Sequence, residues 1–124
     1  MSETTTIFYP VGQREFDFIQ ANDYMALPPK LSFQPFFFLL VHEAYALHIA
    51  RDWNTLDSLS DYAGYVVRFL VKNEFLSQFI KQNFGGSLYQ QYWIPSHAVA
   101  DLNDNIVDKI ELIAEFHPAT TCVR

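Results

Sequence analysis

His42 and Glu43 stand where a run of apolar residues, Phe36-Phe37-Phe38-Leu39-Leu40-Val41, gives way to a helical pattern. An imidazole beside a carboxylate at a strand-to-helix junction is the smallest equipment for general acid–base chemistry at the head of a cleft. The pair also has a plain structural use. Glu43 near a helix N-terminus and Arg51 near its other end both favour the macrodipole, and one His-Glu dipeptide does not separate the two uses. His48 lies about one and a half helix turns beyond His42 and so off its face, whereas a helical metal pair needs i, i+4 spacing. The one cysteine, Cys122, falls in no zinc spacing and reads as a terminal thiol. No metal site is expected. His97 and His117 have no obvious partners and read as surface or loop residues.

Tyr9, Tyr45, Tyr65, Tyr89, Tyr92 and Trp93 are residue types that wall a pocket for a flat ring such as nicotinamide or adenine. At strand positions the same residues also serve as core. Gln91 lies mid-strand among them, where an amide either faces solvent or binds something specific. There is no GxGxxG, no P-loop and no Gly-x-Ser-x-Gly elbow. No Ser/His/Asp or Cys/His set stands out.

The elements that must position these residues are legible from periodicity. Thr5–Tyr9 is β-branched and aromatic and reads as a strand ended by Pro10. Gly12–Ala21 reads as a helix with Phe16 and Ile19 on its buried stripe. Leu27-Pro28-Pro29-Lys30-Leu31, with Pro35, makes a stiff extended loop. The apolar run then feeds a helix reaching Trp53, whose inward positions are Val41, Ala44, Tyr45, His48 and Ile49. Asn54–Asp61 is polar and turn-rich, in the manner of a mobile flap. Tyr62–Val71 is the clearest strand, interrupted by Arg68. Asn73 caps a helix carrying Phe75, Leu76, Phe79 and Ile80. A glycine loop over Asn83–Ser87 leads to a strand over Tyr89–Ile94, stopped by Pro95. A short helix capped by Ser96 turns Val99 and Leu102 inward. Asp108–Phe116 closes the sheet, and the tail from Pro118 reads as loose. Such alternation fits parallel α/β units, and a mostly antiparallel α+β sheet with small helices fits equally well.

The chain has 124 residues, half of them hydrophobic and 17% aromatic, with twelve Phe and seven Tyr. That is one domain over residues 1–124, with an ordered core at about 5–117 and enough apolar material to exclude disorder. A net charge of −6 with scattered Lys and Arg gives no footprint for nucleic acid. The N-terminus lacks a basic and apolar leader, and the apolar run is far short of the ~20 residues a membrane span needs. A soluble, cytoplasmic protein is expected, without membrane partners.

Several stretches together resemble a bacterial family labelled "ADP-ribosylation/crystallin J". They are Ile7-Phe8-Tyr9-Pro10-Val11-Gly12, Pro28-Pro29-Lys30-Leu31, Ile49-Ala50-Arg51-Asp52-Trp53-Asn54, Gln91-Tyr92-Trp93-Ile94-Pro95 and Ile110–Phe116. The resemblance runs from Ile7 to Phe116. It implies a minimal ADP-ribosyltransferase-like fold: a small, split, mostly antiparallel sheet with short helices, holding nicotinamide adenine dinucleotide (NAD) between its halves. It further implies that the positions given to Arg, Tyr and Glu in the family pattern fall at Tyr9, Phe38 and Gln91. Tyr9 and Gln91 would occupy the catalytic positions, and Tyr9, Phe38, Tyr45, Tyr65 and Gln91 would bind NAD. Gln91 can hydrogen-bond a ribose hydroxyl but carries no charge. The alternative is a catalytically inactive module of the same fold, binding a nucleotide or an unknown protein. Exposed aromatics on this scale would also suggest a homodimer.

Overall fold

The structure, a computed structural model, describes residues 3–29, 34–83 and 90–117. Within them six strands form one open sheet: β1 (Thr4–Val11), β2 (Phe36–Leu40), β3 (Gly64–Lys72), β4 (Lys81–Asn83), β5 (Gln90–Pro95) and β6 (Ile106–Phe116). Their order is β4-β5-β2-β1-β3-β6, and all five ladders are antiparallel. Four helices, α1 (Gln13–Ala21), α2 (Glu43–Asp52), α3 (Asn73–Leu76) and α4 (Val99–Asp104), make the architecture α+β. Among the described residues no helix is long and apolar enough to cross a membrane.

The middle of the sheet is where the strands part. β1 pairs β3 along its whole length, from Thr4 opposite Lys72 to Val11 opposite Tyr65. β2 pairs β5 along its whole length as well. Between β1 and β2 one register pair is formed, Phe8 with Leu40. Continuing that register would set Pro10 against Phe38, and no such pair forms. Pro10 has no N–H to give to a ladder, and proline sits in sheets where one side is open. Pro10 therefore does not end β1, as the sequence suggests. The strand runs on to Val11, held by β3, while its β2 side opens.

The two faces carry different layers. Ile7, Tyr9 and Val11 of β1 join Phe37, Leu39, Val67 and Phe69 beneath Phe16 and Ile19 of α1, with Leu76 and Leu102 of α3 and α4. On the other face, Leu40 and Val66 pack against Ala46 and Ala50 of α2, with Phe8, Ile113 and Phe116 alongside. The inward residues of α2 are thus Ala46 and Ala50, one step away from the expected face; Ala44 and His48 are exposed. Small side chains on that stripe let the helix lie close. At Gly64 the approach is limiting, because an added Cβ would lie 2.0 Å from the Ala50 carbonyl oxygen.

Other differences are local. α3 ends at Leu76; Phe79 stays against the core, but Ile80 is 77% exposed, and Lys81 begins the short strand β4 where no strand was expected. His117 has a partner, its Nε2 lying 2.6 Å from Glu115 Oε2. Asn54–Asp61 forms two 3-10 turns, Asn54–Leu56 and Ser58–Ser60, with Thr55 and Ser60 buried. Tyr89, Cys122, the Gly85-Gly86 pair, Lys30-Leu31 and the tail from Pro118 lie outside the described residues.

The approach at Gly64 sets a test. Gly64→Ala must push α2 off the sheet or bend β3, and overpacking of this kind costs about 1–3 kcal/mol. Urea unfolding should show a lower midpoint at unchanged slope. A midpoint equal to wild type would mean that α2 does not sit this close.

Candidate functional site

A cavity of about 610 Å³ opens where β1 and β2 part. Tyr9 and Pro10 line it from β1, Phe38 and Leu40 from β2, and Gln91 from β5. The register puts Phe38, Leu40 and Gln91 on the α2 face of the sheet, whereas Tyr9 belongs to the α1 face. Only an open sheet exposes residues of both faces to one space. Two helices complete the walls. Arg14, Glu15 and Phe18 come from α1, and Tyr45, Ile49 and Trp53 form an i, i+4, i+8 stripe along α2 and its C-cap.

Four of the five residues expected to bind NAD therefore meet at one place: Tyr9, Phe38, Tyr45 and Gln91. Tyr65 does not join them. Its ring stacks on Phe16 at 4.3 Å and 15°, and its hydroxyl donates to Gln13 Oε1 at 2.6 Å. Covered by α1 and hydrogen-bonded to it, Tyr65 is a core residue. His42 and Glu43 lie outside the cavity lining; His42 is the N-cap of α2 and Glu43 its first residue. Among the described residues no group of three or more His, Cys, Asp or Glu side chains has the geometry to hold a metal ion.

The sequence reading does not single out Glu15, Asp57, Ser60 or Trp53. Glu15 is the third residue of α1 and its Oε1 accepts the Gly12 N–H at 3.1 Å, so it caps the helix while lining the cavity. Asp57 and Ser60 come from the 3-10 segment. Ser60 Oγ donates to Asp57 Oδ2 at 3.1 Å and accepts from Asn54 Nδ2 at 2.9 Å. Gly12 touches this segment so closely that a Cβ there would lie 2.5 Å from Ser60 Cα. Arg14, 3.4 Å from Asp61, ties the segment to α1 a second time. The one available signal for Trp53 is its spacing, eight residues beyond Tyr45 and four beyond Ile49.

Chemically the site is an apolar slot with a few placed polar groups. The Tyr9 phenol is buried among Phe37 and Phe69, with centroids at 6.2 and 6.4 Å. Burial first, and the nearby Glu15 carboxylate second, hold it well above the ordinary tyrosine pKa. It is a neutral donor or acceptor and not a base. Phe38 and Trp53 remain 41% and 57% exposed at the rim. Comparisons with family models, with curated proteins and with solved structures give no match.

The state of Tyr9 fixes a pH dependence. Folded Tyr9 keeps its proton above the point, about pH 10, at which an unfolded tyrosine ionises. Above that pH the unfolded state holds fewer protons, so Tyr9's contribution to stability is lost as pH rises. Tyr9→Phe removes that share of the alkaline loss. Relative to wild type, the variant should gain stability between about pH 8 and about pH 10.5, measured by urea unfolding. A difference that stays constant with pH would show that Tyr9 ionises as easily folded as unfolded.

Proposed function

We propose that the chain is an ADP-ribosyltransferase-like domain that binds NAD in the cleft between the two halves of its sheet. The observation supporting this reading is the convergence of Tyr9, Phe38, Tyr45 and Gln91 on one cavity of about 610 Å³, within the size range of small-molecule sites. Tyr45, Phe38 and Trp53 supply aromatic rings to the cavity lining for contact with nicotinamide or adenine, and Gln91 offers a neutral hydrogen bond. Transfer from NAD would need negative charge close to the sugar carbon from which nicotinamide departs. Gln91 has none to supply. The reading is therefore binding without efficient transfer.

A second reading, a protein segment as the occupant, is favoured by the exposure of Phe38 and Trp53 at the rim. Calorimetry separates the two. NAD should bind saturably, and Tyr45→Ala should weaken it about tenfold, the equivalent of about 1.4 kcal/mol and within the range of one base–aromatic stack. Absence of heat at millimolar NAD would overturn the nucleotide reading and leave the protein segment.

A further inference from the structure

Gln91 is 7% exposed, and the two ends of its amide are not equivalent. Trp93 Nε1 lies 3.2 Å from Gln91 Oε1. An indole N–H donates and never accepts, so the amide turns its oxygen to Trp93; the flipped amide would set N–H against N–H. Its Nε2 is left with two donors. Among the described residues that nitrogen has no hydrogen-bond partner, and it is not one of the atoms sealed in the interior without one. Gln91 lines the cavity, so this nitrogen is the end of its amide left to meet a ligand there.

Trp93 is itself held in place. Its ring packs on Phe36 at 5.6 Å and edge-on to Phe38 at 5.4 Å and 83°. Phe38 is its register partner across β2 and β5, as Leu40 is for Gln91. Gln91 and Trp93 lie two residues apart on one strand and so share a face.

We infer that Gln91 is a fixed hydrogen-bond donor selecting ligands with a neutral acceptor oxygen on a flat ring, a carboxamide or ring carbonyl, and that Trp93 is the residue positioning it. This rests on the cleft being a ligand site, as proposed above, and adds which chemistry meets its buried amide. A phosphate oxygen is the less suited acceptor. Among the described residues the charged lining groups are the carboxylates Glu15 and Asp57 and one guanidinium, Arg14, which faces Asp61. A phosphate would meet net negative charge; a carbonyl oxygen accepts the two N–H groups without that repulsion. The position where the family resemblance asks for negative charge thus presents the positive end of an amide dipole.

The test uses two neutral probes of nearly the same shape, 3-acetylpyridine, which has a carbonyl acceptor, and 3-isopropylpyridine, which has none. Both are titrated into the labelled protein and followed by NMR, with NAD titrated in parallel. Wild type should prefer the acetyl probe by about tenfold, since a site built around a hydrogen bond rejects the analogue lacking it. Gln91→Glu keeps an acceptor for Trp93 but turns an oxygen on the carbonyl, so the preference should reverse. Trp93→Phe frees the amide to turn and should remove most of the preference while both probes still bind, a change of ratio that lost packing alone would not produce. The Gln91 side-chain NH₂ signals of wild type give a readout without any variant, and they should shift with the acetyl probe. Equal affinities in wild type, unmoved NH₂ signals, or no binding of either probe would overturn the inference. If the probes behave as expected and NAD does not bind, the dinucleotide reading falls and the donor assignment stands. If NAD binds and the probe ratio is the same in wild type and Gln91→Glu, the reverse holds.

Discussion

Among the described residues Phe8 and Leu40 are the one register pair joining the two halves of the sheet, and the rest of the molecule is arranged around how little that pair holds. Two three-stranded sheets meeting along one residue pair would hinge or separate unless another element spanned the join. α2 does so. Its Ala46 and Ala50 share one apolar cluster with Leu40 from one half and Phe8 and Val66 from the other, and the cluster extends to Ile113 and Phe116 at the far strand. Burial of a Leu or Val side chain is worth about 1.5–3 kcal/mol, so Leu40 and Val66 beneath α2 outweigh the net gain of the few backbone hydrogen bonds missing at the gap, each about 0.5–1.5 kcal/mol. The gap can therefore exist without the halves coming apart.

That arrangement gives the cavity its character. A closed sheet would bury Tyr9 under α1 and hide it from Gln91 on the opposite face. The parted strands let both line one space, and helices on either side keep that space narrow and apolar. In such surroundings each polar group counts for more than it would in water. Burial keeps the Tyr9 phenol neutral, and the orientation of the Gln91 amide decides whether that group attracts an acceptor or a donor.

Much of this was legible in the sequence because it follows from local pattern. The helix at Gln13–Ala21, with Phe16 and Ile19 inward, obeys the 3.6 period; the strand expected over Tyr62–Val71 and found at Gly64–Lys72 shows in its two-sided apolar run, and the closing strand through Phe116 in a partial alternation. What was not legible depends on distances across the fold. Pro10 reads as a strand end, because nothing in the local pattern says that β3 holds one of its sides while the other is open. The inward face of α2 is misjudged because a close helix selects Ala46 and Ala50 over larger neighbours, and the partner requiring this, Gly64, lies fourteen residues beyond Ala50. Tyr65 has the same residue type and strand setting as Tyr9, and its removal from the cleft is due to Phe16 and Gln13 of α1. Glu15 and Asp57 escape notice because a first-turn glutamate and a loop aspartate are ordinary residues until the fold brings them to one cavity.

Gln91 shows where residue identity stops and geometry begins. As a letter in the sequence it is a neutral substitute for a charged residue, able to donate or accept. Its neighbour two positions along the strand removes that freedom, because Trp93 can only donate and so claims the amide oxygen. The edge-on packing of Trp93 on Phe38 then carries the choice across the ladder into β2, one of the two strands that part to form the cleft. The aromatic residues beside the cavity thus have two separable tasks. Phe38, Tyr45 and Trp53 shape the slot, while Trp93, outside the lining, orients the Gln91 amide. A pocket whose polarity is fixed before a ligand arrives loses little on binding to reorientation of its own groups, and this preorganisation is the form in which a small domain with few charges can still discriminate between ligands.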